Sequence, residues 1–431
     1  MKQAKKQTNS IKGFDAHCHI FNLRYLLKEA KEIFFTWIIG DYPTAEKFAF
    51  KSDAEKQKIK EDFKTKLIHL VELLSATVRS EKRNFRFIQN QANEAWKIKV
   101  GAIPLMMDIF YIFAPPITED DTDFFQTKSL GANAFEFNED DFEKEYAELA
   151  KKIVAKVKSK AQKQHDFSDI EKELDQHLIE AVEDSEYKYT TKSAEYGNLH
   201  LSSGFRFHMD RLRKMVHQGE PIYPFFAVDP RREGIFDAIK NKNLISENGP
   251  FYGVKLYPRL GYHPLSKPVQ DILDICIERD LPVITHCGMS GFPPKDFSFD
   301  GSGTWKYNDY GNPKHFLPAV KKGLRIDFAH LGSVDPSYKW AETIIEYINK
   351  YENVYSDLSC YTKTSELKPI IKKFWNTDKV KSRIMFGSDF DVMYFTDKKI
   401  TYEQYCRNFT DLFPNDIKKM RYDNVKAFLK I

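Results

Sequence analysis

Short apolar runs that give way to polar, chemically capable residues recur along the chain: Gly13–Ile20, Lys99–Asp108, Ile222–Asp229, Tyr252–Tyr257, Pro282–Cys287, Arg325–His330, Asn353–Leu358 and Arg383–Asp389. Near-continuous apolar runs of this length are what parallel strands buried on both faces produce. From the third onward they begin at positions 222, 252, 282, 325, 353 and 383, and a strand with its return helix occupies about 30 residues. Amphipathic stretches such as Val269–Arg279 and Trp340–Tyr351 fall between them. Alternation of eight strands with helices predicts an α/β protein built as a (β/α)8 TIM barrel.

The chain has 431 residues, well beyond the roughly 250 a barrel requires. The excess falls at about residues 21–97 and 109–220, after strands one and two. Thr44–Trp96 is rich in Lys, Glu and Leu, and Asp141–Val157 sets Phe142, Tyr146, Leu149, Ile153 and Val157 three to four residues apart, which is helical spacing. With no solenoid repeat and no low-complexity linker, the expectation is one domain over 1–431. Its two helical insertions would cap one side of the barrel mouth.

Charge changes the picture by exclusion. The 66 basic residues nearly cancel 62 acidic ones, for a net of +4, so no global field recruits nucleic acid or an anionic membrane. A small molecule is the expected partner, and a homo-oligomer is compatible with the sequence. Five scattered cysteines without a CxxC argue against both a disulfide framework and a thiolate zinc site, and fit a reducing cytoplasm. The basic N-terminus leads into no apolar signal core. The most apolar span, 102–116, contains Asp108 and is shorter than the ~20 residues of a membrane helix.

The candidate chemistry sits at the strand ends. His17 and His19 are two apart on the first strand, so the period of two turns both imidazoles to one face. His286 ends strand five, His330 ends strand six and Asp389 ends strand eight, and in a barrel these ends face the active site. Any one of them alone reads equally well as a satisfied buried polar residue. Imidazoles with a carboxylate suit a divalent metal: Zn2+ first, Mn2+ or Fe2+ as alternatives. Lys255 ends strand four in GVKLYP. A lysine buried beside metal ions has a lowered pKa and can take up CO2 as a bridging carbamate; a surface lysine, or one that binds a substrate anion, is the other reading. Cys18 and Cys287 flank metal-site histidines but point away by strand alternation, as small core residues.

These segments, HxH at His17 and His19, GVKLYP at Lys255, THCG at His286, FAHLG at His330 and FGSDF at Asp389, resemble the amidohydrolase superfamily, in particular its amidohydrolase-related branch. Asp423 and Asn424 resemble the start of that family's closing helix; the two insertions have no counterpart. The resemblance implies one metal on His17, His19 and Asp389, and a second on His286 and His330 bridged by carbamylated Lys255. Many members of the branch use a single metal and lack the lysine, so one ion or two remain open. The implied activity is hydrolysis of a C–N or C–O bond in an amide, lactam, lactone or ester, with Asp389 and His330 as catalytic groups. The alternative is a one-metal decarboxylase or hydratase acting on an aromatic or unsaturated acid.

Substrate selection belongs to the loops. Arg231 and Arg232 follow strand three, and Arg259 and His263 follow strand four; guanidinium groups suit a carboxylated substrate, though strand-end arginines also pair with acidic neighbours. Gly288–Pro313, with Phe297, Trp305, Tyr307 and Tyr310, reads as a mobile aromatic lid. Asp108 ends strand two without an assignable role.

Overall fold

The computed structural model describes residues 11–20, 81–107, 111, 116–121, 199, 201, 203–288, 307–332, 339–390, 392–393 and 400–431. Each of the eight apolar runs overlaps a strand, and all but the first contain it whole: β1 Ile11–Cys18, β2 Lys99–Pro104, β3 Phe225–Ala227, β4 Gly253–Leu256, β5 Val283–Thr285, β6 Ile326–Phe328, β7 Val354–Asp357 and β8 Ile384–Met385. β1 pairs with β2, and β3 through β8 pair in chain order, every pair parallel. Backbone hydrogen bonds continue across both seams. Ala102 N donates to Pro221 O at 3.1 Å and Met106 N to Phe225 O at 3.1 Å, while Ala16 N donates to Phe386 O at 2.9 Å and His19 N to Phe390 O at 3.2 Å. β8 is therefore the neighbour of β1, as the (β/α)8 TIM-barrel order requires.

Ten helices of the described residues are α1 Glu81–Trp96, α2 Ser203–His217, α3 Ile235–Lys240, α4 Lys267–Glu278, α5 Leu317–Lys321, α6 Lys339–Lys350, α7 Thr364–Phe374, α8 Asp378–Lys381, α9 Tyr402–Leu412 and α10 Asn424–Leu429. α4 and α6 lie within two residues of their predicted bounds. In α6 the buried side chains Trp340, Ile344, Tyr347 and Ile348 recur at three to four residues and lay one stripe on the sheet.

The strands bury both faces against different partners. Val254, Leu256, Val283, Ile326, Phe328 and Val354 share a core with Val269, Ile272 and Ile344 of the helices. A smaller cluster holds Ile103, Phe225, Ile284, Tyr355 and Met385 with Phe428 of α10, whose ring stacks 6.1 Å from Phe225 and lies 5.2 Å from Tyr355. Lys255, Ile284, Asp327 and Tyr355 are successive ladder partners. Directly paired residues face the same side of a sheet, so Lys255 and Asp327 lie on the inner face with Ile284 and Tyr355.

Most of the two insertions, and with them the expected helical cap and its Asp141–Val157 stretch, lies outside the described residues, as does Asp108. Their described parts are α1, α2 and a short segment in which Ile117 pairs with the turn after β4, through Ile117 N to Gly261 O at 2.7 Å and His263 N to Ile117 O at 2.9 Å. Among the described residues no helix is long and apolar enough to cross a membrane.

Candidate metal centre

His17 and His19 leave β1 on one side, and each has its Nδ1 committed. His17 Nδ1 donates to Oδ2 of Asp357 at 2.8 Å, and His19 Nδ1 donates to the Leu105 carbonyl at 2.9 Å. A neutral imidazole has one N–H, so wherever these rings are neutral Nε2 carries the lone pair. Those Nε2 atoms lie 3.4 Å and 3.3 Å from Oδ1 of Asp389. His17 Nε2 and Asp389 Oδ1 are buried and have no hydrogen-bond partner. Burial, against the pull of Asp357, brings His17 down to about 3, which keeps its ring neutral at physiological pH. Lone pairs that converge on a carboxylate oxygen are stable only around a cation, and two imidazole nitrogens with a carboxylate form a divalent-metal donor set. The residues present fit such an ion.

Asp389 is brought to this point by backbone chemistry rather than by a regular strand. The β8 ladder ends at Met385, and Asp389 stands beyond it in the left-handed region at φ 59°. Its N–H donates to the His17 carbonyl at 2.7 Å, beside that of Ser388 at 3.1 Å. Asp15 secures the same corner by accepting from Ser388 Oγ at 2.5 Å, Ser388 N at 2.9 Å and the Tyr402 hydroxyl at 3.0 Å. Burial nonetheless pushes the Asp15 carboxyl up to about 7. A Cβ on Gly387 would lie 2.7 Å from His17 Cβ, so only glycine admits this approach of the β8 end to β1.

His330 and Leu331 both adopt positive φ, 62° and 47°, at a cost of about 1–3 kcal/mol each. The turn sets the His330 ring 4.7 Å from that of His17 and 5.1 Å from that of His286, which in turn lies 4.3 Å from the Tyr257 ring. His17, His330 and Asp357 form a second group with donor atoms within 4.8 Å of one another, but there the His17 Nδ1 proton already fills the contact with Asp357. Lys255 is buried with Nζ lacking a hydrogen-bond partner. Burial brings it down to about 8 against the opposing charges of Asp357, Asp389 and Asp327. Asp327 is buried with neither oxygen hydrogen-bonded, and burial together with Asp357 pushes its carboxyl well above the usual range.

Sequence reasoning named His17, His19, Lys255, His286, His330 and Asp389, and missed Asp357, Ser359, Asp327 and Asp15. A signal for Asp357 was present: it is the polar residue near the end of the Asn353–Leu358 run, as His330 is at the end of RIDFAH. Of the expected substrate contacts, Arg231 is committed to Asp229, with Nε to Oδ1 at 2.8 Å and Nη2 to Oδ2 at 2.6 Å. This is the acidic-neighbour alternative weighed for it. Arg232 lies over the rings of Phe205 and Tyr111, at 4.3 Å and 5.0 Å. Arg259 is buried in the turn after β4, and His263 packs on Tyr310 and His315 at 4.8 Å and 4.5 Å. Tyr307 is buried against Tyr310, whereas Phe297, Trp305 and the rest of the predicted lid from 289 to 306 lie outside the described residues.

The sequence model of the family described as Amidohydrolase matches residues 155–430. The chain belongs to the amidohydrolase family. It is accordingly an enzyme of the amidohydrolase superfamily with candidate metal-binding residues. The match begins after β2 and does not include His17 and His19, which the HxH spacing and the geometry bring to the site. No curated protein matches the chain. Among solved structures, an uncharacterized TIM-barrel protein from Bordetella bronchiseptica is 15% identical over 52% of this chain and 72% of its own, with a TM-score of 0.38. The 2,6-dihydroxybenzoate decarboxylase from Rhizobium is 15% identical over 52% and 76%, at 0.34. A probable 2-pyrone-4,6-dicarboxylic acid hydrolase from Acinetobacter baumannii is 14% identical over 51% and 77%, at 0.36.

Proposed function

We propose that this amidohydrolase is a metal-dependent hydrolase that cleaves a C–N or C–O bond in a small molecule, an amide, lactam, lactone or ester. The observation that carries the reading is the pair of buried, unpartnered acceptors His17 Nε2 and Asp389 Oδ1 at 3.4 Å. His17, His19 and Asp389 would hold the ion, with His286 and His330 beside it; Zn2+ suits the donors best, and Mn2+ or Fe2+ are alternatives. Such an ion supplies Lewis acidity and makes hydroxide available near neutral pH.

The chain's own residues supply the rest. Asp389 takes a proton from the attacking water and returns it to the leaving group. Lys255, brought down to about 8, has a neutral fraction able to form a carbamate, which would add a second ion together with His286 and His330. Arg259 and His263, on the turn after β4, are the remaining candidates for contact with a carboxylated substrate. None of the five cysteines is in a disulfide, in keeping with a cytoplasmic enzyme.

The test is a substrate panel on zinc-loaded enzyme: amides, lactams, lactones and esters followed by acid release, beside aromatic and unsaturated acids followed for CO2 release or hydration. Turnover in the first panel, abolished in Asp389→Asn, supports the hydrolase. Turnover confined to the second replaces it with a lyase.

A further inference from the structure

His17 and His330 come from different strands yet share one support. Asp357, at the end of β7 and fully buried, accepts the Nδ1 proton of His17 on Oδ2 at 2.8 Å. Its Oδ1 accepts from the His330 backbone N–H at 3.0 Å, from Ser359 N at 2.9 Å and from the Ser359 hydroxyl. Ser359 Oγ also lies 2.7 Å from Nδ1 of His330. A serine hydroxyl has a single proton, and here it goes to the carboxylate. The contact with His330 therefore takes its proton from the imidazole, and in the neutral ring Nε2 carries the lone pair.

We propose that Asp357 and Ser359 are positioning residues that hold His17 and His330 in the same Nδ1–H tautomer, so that both rings present Nε2 as an electron-pair donor. His330 then serves as a ligand or a proton acceptor, not as a neutral hydrogen-bond donor to a substrate carbonyl. Asp357 orients His17 rather than sharing its ion, because it meets the ring on Nδ1, the nitrogen opposite the Nε2 turned to Asp389. The bond to His330 N also holds the left-handed backbone that aims the ring. This use of the tautomers rests on the metal-dependent reading of the site; the tautomers themselves do not.

The test uses metal-free, full-length protein labelled with 15N-histidine, with long-range proton–nitrogen correlation near neutral pH. Signals of the two rings are assigned by their loss in His17→Gln and His330→Gln. The expected result is protonation at Nδ1 and a bare Nε2 in both, with Ser359→Ala moving the His330 proton toward Nε2 and leaving His17 unchanged. A wild-type His330 protonated at Nε2, or a Ser359→Ala spectrum identical to wild type, overturns the proposal. Asp357→Asn, with its fold checked by circular dichroism, should bind zinc roughly 10–100-fold more weakly in competition with a chromogenic chelator; wild-type affinity would also overturn it. Should that variant fail to fold, the Ser359→Ala spectrum decides. Wild type that shows the expected tautomers but binds no zinc supports the positioning and sinks the metal reading instead.

Discussion

Gly387→Ala is the smallest change that tests how the site is held together. The added Cβ would lie 2.7 Å from His17 Cβ, 3.1 Å from Ser359 Cβ and 3.2 Å from His17 N. Carbon atoms settle at about 3.5–4.0 Å, so the closest contact is short by roughly 1 Å. The atoms struck are side-chain roots and backbone, which no rotamer change removes. The β8 end must therefore move off β1, and overpacking of this kind costs about 1–3 kcal/mol. The same movement separates His17 Nε2 from Asp389 Oδ1, now 3.4 Å apart, by more than the ~0.2 Å latitude of metal–ligand distances. We expect metal-free Gly387→Ala to unfold at lower denaturant than wild type and to bind zinc at least about tenfold more weakly, the scale of loss seen when ligand support is disturbed. Lower stability with wild-type zinc affinity would refute the coupling of this packing to the metal site.

Arg231→Ala removes one partner of an ion pair that is buried on both sides and should cost about 3–5 kcal/mol in denaturant unfolding; unchanged stability with a raised KM would return Arg231 to substrate binding. Lys255 is brought down to about 8 in the fold, against ~10.4 for an unfolded lysine. The buried ammonium therefore weakens the fold fully below about pH 8, and that penalty is relieved as pH rises toward ~10.4. Metal-free wild type should accordingly gain stability relative to Lys255→Met across that window, and parallel curves would contradict the burial of the amine. Chelation should lower the melting temperature, since ligand at a hundred times its Kd stabilises by about 2.7 kcal/mol. His17→Ala should be insensitive to chelator, and an equal response in that variant would place the ion elsewhere.

The strands were legible because burial on both faces writes a near-continuous apolar run, and all eight runs overlap one. Their ends were less so. β3 keeps three ladder residues and β8 two, and the φ of 59° that delivers Asp389 leaves no trace in FGSDF. His17 and His19 were readable from a spacing of two. Asp357 showed only its place at the end of an apolar run; its role was not readable, because His17, which it supports, lies 340 residues away in sequence. Arg231 could be read both ways from DPRR; the distance to Asp229, not the sequence, gives the pairing.

The most direct test of the central claim, a cation at His17, His19 and Asp389, is metal content per chain by plasma mass spectrometry on protein purified without chelator, with Asp389→Ala alongside. The account predicts at least one divalent ion bound per wild-type chain and the loss of one in the variant. A wild type without bound metal, or an Asp389→Ala variant that keeps the full complement, would contradict it.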